Sequence, residues 1–226
     1  MVKTEKVSSS AATRARLLEA AGEVFADKGF RAATIREIIQ RAKANVAAVN
    51  YHFGDKERLY IAVLRYSHQC AGELFPTDPG TGSHANVKQR LHAFVRGLIL
   101  RVLDKGRPAW HGKLMMQEVA EPTQALDGLV ADFIRPQFGI ISQLVSEISG
   151  LPISDRRVRL GARSVVGQVL FYRLAHPVLQ RLHPDEPYER KDLEAIAHHI
   201  AEFSYAALKS LGKEPGEKKR KAGATS

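Results

Sequence analysis

Residues 45–60, with the sequence NVAAVNYHFGDKERLY, combine an aromatic run with several polar side chains. Asn45 and Asp55 are residues typical of helix starts, and an aromatic run at 51–53 lies between them. The amide, phenol and imidazole groups of this stretch can donate hydrogen bonds. Lys56 opposes the dipole of the helix that Asp55 would start, so a phosphate partner would account for its position.

The chain has 226 residues, enough for a small domain and a larger one, and 44% of them are hydrophobic. It has no apolar run of about 18 residues, and the stretch from Met1 lacks the apolar core of a secretory signal. The single cysteine, Cys70, cannot form an internal disulfide, which suits a reducing compartment. These features predict a soluble cytoplasmic protein with no membrane partner.

Positive charge predominates along the chain, and the formal net charge is +10. Residues 1–60 carry 11 Lys and Arg against 7 Asp and Glu, residues 61–212 carry 18 against 15, and the tail from Lys213 carries 5 against 2. A basic balance favours polyanions such as nucleic acid. The alternative, a merely basic protein with a solvated tail, is not excluded by charge alone.

The elements that position residues 45–60 are predicted to be helices, because apolar residues recur at helical spacing and no alternating strand pattern occurs. A first helix over 13–28 would stop at Gly29. Two short helices and a longer fourth helix from Asp55 would complete a compact helical head.

A helix-turn-helix is predicted from Thr34 onward. Thr34 and Glu37 form a capping box for the second helix, and a turn at Lys43 leads to the third helix, which starts at Asn45. In such a unit the helix after the turn enters the DNA major groove by its N-terminal part, where a small residue such as Ala47 brings the backbone close to the bases. The partial positive charge of both helix starts would face phosphates.

The rest of the chain is predicted to be helical with two irregular stretches. A break at 75–84 and a stop at 105–108 bound the first helix beyond the head, and the stretch at 176–187, HPVLQRLHPDEP, is expected to be irregular. We predict helices at residues 86–104, 110–120, 123–149 (bent at Pro136), 155–175 and 188–211, followed by a disordered tail.

The stretch TIREIIQRAKANVAAVNYHFGDKERLY, preceded by LLEAAGEVFADKGFRAAT, resembles the DNA-binding domain of the tetracycline-repressor (TetR) family. The resemblance covers about residues 13–60, and VNYHFGDK is similar to a subgroup that includes fatty-acid-responsive and CecR-like regulators. The stretch MMQEVAEPT at 115–123 resembles the CecR-like C-terminal domain. The matching positions are Phe25, Gly29, Thr34, Ile38, Ala42, His52, Phe53, Lys56 and Leu59. The resemblance implies a homodimer, a double-stranded DNA operator, and repression that a small molecule releases.

The resemblance also implies which residues contact DNA. Two positions depart from the family pattern, because Asn50 stands where a tyrosine is frequent and Lys43 where a glycine is common. The candidate DNA-binding residues are Thr34, Arg36, Lys43, Asn45, Ala47, Asn50, Tyr51, His52 and Lys56. Packing remains the alternative for Tyr51 and His52, and plain solvation remains the alternative for Arg36 and Lys43.

The predicted fold is all-α, with a helix-turn-helix domain at residues 10–56, a larger helical bundle for ligand binding and dimerisation at 57–212, and a basic tail at 213–226. A ligand pocket in the bundle would be mostly apolar with a few polar groups, and so would its effector. The candidate ligand-binding residues are Trp110, His111, Met115, Gln117, Phe133, Phe138, Gln168 and Tyr172. Core packing is the alternative for each aromatic residue.

Two surfaces are predicted to join the subunits of a dimer. Small and apolar residues from Leu160 to Leu170 allow close helix approach. The second surface is a stripe on the last helix, formed by Leu193, Ile196, Ile200, Leu208 and Leu211. A symmetric dimer would read a palindromic operator.

Two other classes of protein compete with this interpretation. A helical enzyme is disfavoured, because the sequence has no His-Glu-x-x-His or paired-cysteine metal motif, no phosphate loop and no dinucleotide fingerprint. No cofactor is therefore expected. A nonspecific DNA-coating protein would show little preference for a palindrome, whereas a regulator should prefer it by about 10³ or more.

Overall fold

The computed structural model describes residues 2–77, 85–103 and 110–212, and for residues 2–9 the backbone alone. Within these ranges the chain forms α-helices, one π-helical turn and no strand, which confirms the predicted all-α class. The helices are α1 (Val2–Ala32), α2 (Ile35–Ala42), α3 (Val46–His52), α4 (Lys56–Leu74), α5 (Val87–Leu103), α6 (His111–Ala120), α7 (Ala125–Leu129), α8 (Arg135–Ser149), α9 (Arg156–Leu174), α10 (His176–Leu182) and α11 (Arg190–Leu211). The π-helical turn spans Val130–Ile134.

The helices belong to two compact units. Unit 1 contains α1–α4, α6, α7 and the π-helical turn, and unit 2 contains α5 and α8–α11. The predicted functional boundary at residue 56 lies inside unit 1 and stays a prediction. Most of the predicted break at 75–84, from residue 78 on, lies outside the described residues, as do the predicted stop at 105–108 and the predicted disordered tail. No helix in the described ranges combines the length and the apolar character that a membrane span requires.

The core of unit 1 forms where α1 packs against α2 and α4. Phe25 on α1 and Leu59 on α4 are fully buried there. The helix α6 joins this core at Gly22, where a Cβ atom would overlap the ring of Trp110. Glycine is therefore required at this crossing, because any side chain would push α6 away from α1.

Local signals in the sequence set most of the helix ends. Gly29 has a φ of 75° and interrupts the helical backbone of α1, as predicted. Thr34 and Glu37 form the predicted capping box, and Asp55 caps α4 through a 2.8 Å bond from the Arg58 amide. The first helix nevertheless begins at residue 2 rather than 13, because its N-terminal stretch continues the helix without a breaker.

Three predictions about the later helices need correction. The stretch at 176–187 is not wholly irregular: it contains α10, because Pro177 is compatible with the first turn of a helix. The predicted helix at 123–149 is divided by the π-helical turn, which lies just before Pro136. Proline has no amide hydrogen and its ring crowds the carbonyl group four residues earlier, so the preceding turn widens.

The stripe predicted on the last helix is the third correction. Leu193, Ile200 and Leu208 are buried inside unit 2, where α11 packs against α5, α8 and α9. These residues therefore form the core of one subunit and are not a free surface for a second one. A helix with apolar residues on one face gives no indication in its sequence of which neighbour covers them.

A ladder of charged and imidazole side chains joins α5 to α11 in unit 2. Lys88 Nζ pairs with Glu202 Oε1 at 2.8 Å at one end of the ladder. Arg96 donates at the other end through Nε and Nη2 to both carboxylate oxygens of Glu194, at 2.7 and 2.6 Å. The central rung is His92 against His198, with ring centroids 5.7 Å apart. Each rung is four residues from the next on both helices, as antiparallel neighbours require.

The central rung makes the stability of unit 2 sensitive to acid. Burial, followed by repulsion from His198 and opposed by the two flanking glutamates, lowers the pKa of His92 below its ordinary value of 6.5. The unfolded chain then binds more protons than the folded chain just below pH 6.5. Stability contributed by neutral His92 is complete above that pH and is lost as the pH falls below it.

We expect the melting temperature of the wild type to fall between pH 7.5 and pH 5.5 more than that of His92→Gln. The glutamine cannot acquire a proton, so its variant lacks this part of the pH dependence. Thermal unfolding followed by circular dichroism at both pH values measures the difference. His183→Gln, at an exposed position after α10, is the matched control and should follow the wild type. Equal pH dependence of the wild type and His92→Gln would contradict the role of the rung.

Candidate DNA-binding site

The helix-turn-helix is formed by α2, a short turn and α3. The Thr34 hydroxyl accepts a hydrogen bond from the Glu37 amide at 3.3 Å, and the Glu37 carboxylate accepts one from the Thr34 amide at 3.2 Å. The turn contains Lys43, whose φ of 48° is left-handed. A non-glycine residue in this region costs of order 1 kcal/mol, so the lysine that replaces the common glycine adds strain to the turn.

The start of α3 is held by Asn45. Its Oδ1 accepts a hydrogen bond from the Ala48 amide at 2.8 Å, which confirms the predicted cap. Val49 buries its side chain and fixes α3 against α1 and α2. The opposite face is open, and the exposed predicted contact residues at and around α3 are Arg36, Lys43, Asn45, Ala47, Asn50 and Tyr51.

The aromatic run at the end of α3 separates into an exposed part and a buried part. Tyr51 is 80% exposed, whereas Phe53 is 8% exposed and packs in the core of unit 1. The Arg14 guanidinium lies over the Phe53 ring, 5.4 Å from its centroid. His52 lies between them and is half-buried, with its ring 4.9 Å from that of Tyr51. An exposed tyrosine ring forgoes the free energy of apolar burial, and a partner surface that covers the ring would provide it.

Lys56, the first residue of α4, contacts the end of α1. Its Nζ donates to the Arg31 carbonyl oxygen at 3.2 Å and lies 4.8 Å from the centroid of the Phe30 ring. Partial burial lowers the pKa of Lys56. The ammonium group is therefore positioned by α1 and has no carboxylate partner in the part of the chain that the structure describes.

Sequence reasoning missed one buried polar pair. The Tyr60 hydroxyl donates to Glu118 Oε2 at 2.8 Å, and Glu118 Oε1 accepts from the amide of Thr123 at 2.9 Å. Burial, together with Glu118, raises the pKa of Tyr60. Glu118 lies four residues after buried Leu114, so a carboxylate on the apolar stripe of α6 was the signal available in the sequence.

The candidate ligand-binding residues are divided between the two units. Those in unit 1 are Trp110, His111, Met115, Gln117 and Phe133, and those in unit 2 are Phe138, Gln168 and Tyr172. Trp110 donates to Glu19 at 3.2 Å and His111 is hydrogen-bonded to Ser67 at 3.0 Å, so their polar atoms are engaged inside unit 1. Gln168 donates to Ser204 at 3.0 Å. Their role in ligand binding stays a prediction.

Two known families match this chain, one over the helix-turn-helix and one over the C-terminal part. Residues 17–63 match the family described as bacterial regulatory proteins, tetR family. Residues 87–208, more than half of the chain, match the C-terminal domain of the HTH-type transcriptional dual regulator CecR. The chain belongs to the TetR family. It is a helix-turn-helix transcriptional regulator with a CecR-type C-terminal domain.

Individual relatives of this TetR-family regulator agree. It is 30% identical over 173 residues to the HTH-type transcriptional dual regulator CecR of Shigella flexneri, covering 70% of this chain and 74% of the relative. It is 28% identical over 166 residues to an HTH-type transcriptional repressor of Mycobacterium tuberculosis, covering 74% of each chain. The crystal structure of AibR in complex with isovaleryl coenzyme A and operator DNA has the same fold, with a TM-score of 0.63, 21% identity, and coverage of 84% of this chain and 97% of AibR.

Proposed function

We propose that this TetR-family regulator is a homodimeric repressor that binds a palindromic DNA operator in the cytoplasm and is controlled by a small-molecule effector. The observation that carries the DNA part of the proposal is the open face of α3. No carboxylate occurs from Ala42 to Gly54, and the open residues donate hydrogen bonds or carry positive charge. A face without acidic residues avoids repulsion from phosphates when it enters the major groove.

We expect two kinds of contact within the proposed interface, one with bases or sugars and one with phosphates. Ala47 is small and exposed beside the start of α3, so the backbone can approach base edges there. Asn50 and Tyr51 are exposed one turn later and offer polar groups to bases or sugars. Thr34 and Lys43 lie at the two ends of α2 and Lys56 lies at the start of α4, and these residues would contact phosphates, which position the head without reading the sequence. We propose that His52 also contacts a phosphate, because its side chain is only half-buried and part of it stays accessible to DNA.

The homodimer part of the proposal is supported by an uncovered apolar surface in unit 2. Phe171 is 53% exposed on α9 and Phe203 is 61% exposed on α11, and Leu174 is 72% exposed at the end of α9. Gly167 has no atom within 4 Å of the position of a Cβ, so a second helix can approach α9 there. We call Gly167, Phe171, Leu174 and Phe203 the apolar face. An apolar patch that stays exposed on a monomer is typical of an interaction surface, which supports the apolar face as the dimer interface.

Control by a small molecule is supported by the family and by its relatives. The Mycobacterium tuberculosis relative is a repressor, and the Shigella flexneri relative is a dual regulator. AibR, which shares the fold, binds an acyl coenzyme A and its operator. We propose repression as the basal activity of this chain, since a dimer that occupies an operator obstructs transcription directly. An effector that binds one arrangement of helices better than another would shift the population of DNA-binding dimers.

The experiment that tests the proposal is selection of bound sites from random DNA duplexes, followed by titration of the enriched site. We expect a palindromic site with half-site centres roughly 34–36 Å apart or somewhat more, bound about 10³-fold more tightly than scrambled DNA. Fluorescence anisotropy at two salt concentrations measures both affinities. Recovery of no enriched site would overturn the operator proposal, and equal affinity for all duplexes would favour a nonspecific DNA-binding protein.

Lys56→Ala should weaken binding to operator and scrambled DNA alike, because a phosphate contact carries no sequence information. It should also reduce the slope of log affinity against log salt by about 1. Lys113→Ala is the matched control: Lys113 is an exposed lysine of unit 1 that pairs with Asp27 and lies on α6. A changed base preference with an unchanged salt slope would show that Lys56 does not contact phosphate.

Phe203→Asp should convert the dimer to monomers, because a carboxylate in the apolar face would be buried without a partner. Analytical ultracentrifugation measures the mass, and the same variant should lose operator affinity since one head engages only one half-site. Val119→Asp is the matched control, because Val119 is 55% exposed on α6 of unit 1 and lies outside the apolar face. A dimeric Phe203→Asp variant would exclude the apolar face as the interface.

A further inference from the structure

The exposed side of α3 is formed by a small set of side chains, namely Val46, Ala47, Asn50 and Tyr51. Residues three and four apart lie on the same side of a helix, so these side chains form one continuous surface. We call it the α3 face. Val46 is 50% exposed and Tyr51 is 80% exposed, which leaves the α3 face open to a partner.

The α3 face lacks the side chains that most often read guanine. The helix has the sequence VAAVNYH, without lysine or arginine. Exposed cations of the helix-turn-helix lie outside it, at Arg36 in the first turn of α2 and at Lys43 in the turn before α3. Arginine and lysine read guanine by donating to its O6 and N7 atoms in the major groove. A guanine contact by the helix-turn-helix would therefore come from Arg36 or Lys43 and not from α3 itself.

The first turn of α3 presents apolar side chains to the partner. Val46 and Ala47 are exposed, and both side chains end in methyl groups. A methyl group gains nothing from a phosphate, whereas the C5-methyl group of thymine projects into the major groove, where apolar side chains contact it. In a helix-turn-helix the first residues of the helix after the turn lie closest to the base edges. Val46 and Ala47 are therefore suited to contact thymine methyl groups.

One turn later, Asn50 offers an amide group to the same groove. Its side chain is exposed and forms no hydrogen bond with another of the described residues. Asn45 differs, since its Oδ1 accepts a hydrogen bond from the Ala48 amide at 2.8 Å and caps α3. An amide side chain presents an acceptor and two donors, which match the N6 amino group and the N7 atom of adenine as a bidentate pair. Asn50 is therefore suited to bind adenine.

We propose that α3 reads A·T pairs in each half-site, where Val46 and Ala47 contact thymine methyl groups and Asn50 binds one adenine. The inference rests on the proposed operator binding and adds the base pairs that the operator contains at the positions covered by α3. Tyr51 lies at the edge of the α3 face, opposite Val46, and its hydroxyl group binds a sugar or a phosphate. The A·T preference comes from the major groove, because methyl and amide contacts read base edges there.

The thymine contact is tested on the site enriched from random duplexes, by replacing each thymine with uracil symmetrically in both half-sites. Uracil lacks only the C5-methyl group and keeps every hydrogen bond of the base pair. We expect the affinity of the wild type to fall about fivefold at one or two positions, since the methyl group loses its apolar contact. Val46→Ala or Ala47→Gly should remove the effect at one of them. Val119→Ala shortens an exposed valine of α6 and should keep the full loss.

The adenine contact is tested by replacing each adenine with 7-deazaadenine, which lacks the N7 acceptor and still pairs with thymine. The affinity of the wild type should fall roughly tenfold at one position in each half-site, because the bidentate contact loses a hydrogen bond. Asn50→Ala should bind the natural and the modified site equally, and alanine is favourable in an exposed helix, so the variant stays folded. Gln124→Ala removes another exposed amide of unit 1 and should keep the wild-type loss.

The outcomes separate base reading by α3 from operator binding as such. Effects of the modified bases that disappear in the α3 variants and persist in both controls support the inference. An enriched half-site without A·T pairs, or an operator whose affinity neither modified base changes, overturns it and leaves operator binding standing. Effects that the α3 variants retain assign the preference to other residues and also overturn it. Failure to enrich any site overturns the proposed operator binding itself, so the two failures are distinguishable.

Discussion

The hydrogen bond between Tyr60 and Glu118 determines the arrangement of unit 1. A buried carboxyl group loses its hydration, and leaving it without a partner costs about 1–3 kcal/mol or more, so α4 and α6 must lie where the Tyr60 hydroxyl reaches it. Thr123 completes the set of donors at the start of the next segment. This register of α6 is the one that brings Trp110 over Gly22 and Gln117 to the Ala26 carbonyl group.

The DNA-facing head depends on that arrangement through its aromatic contacts. Tyr60 packs against Phe25 and Phe30, and Phe30 in turn lies beneath the ammonium group of Lys56. The caps at Thr34, Asn45 and Asp55 fix where each helix begins, whereas the rings fix how the helices face one another. Caps contribute about 1 kcal/mol each and act within one turn, so they cannot by themselves hold a recognition face in a defined orientation.

Features with a local cause were predictable from the sequence. The capping box at Thr34, the cap at Asn45 and the interruption at Gly29 need only neighbours within a few residues, and all are present. The all-helical class followed from spacing for the same reason. Features with a tertiary cause were not predictable. The role of Leu193 on α11 depends on which helices cover it, and the role of Glu118 depends on a tyrosine 58 residues away.

The candidate ligand-binding residues are a second case in which the sequence alone could not show what a side chain contacts. The candidates were chosen by residue type, and the fold places them in two separate units. Residue type could not separate pocket from core, because side chains such as Trp110 and His111 suit a ligand pocket and also suit a core in which they have an internal partner. What distinguishes the two cases is whether the polar atoms are satisfied, and this is a property of the folded chain.

Gln117 differs from the other candidate residues in this respect, since one of its polar atoms is bonded within unit 1 and the other is not. Packing inside unit 1 therefore accounts for Trp110 and His111 more fully than it accounts for the Gln117 amide, because buried polar atoms in folded proteins are almost always satisfied.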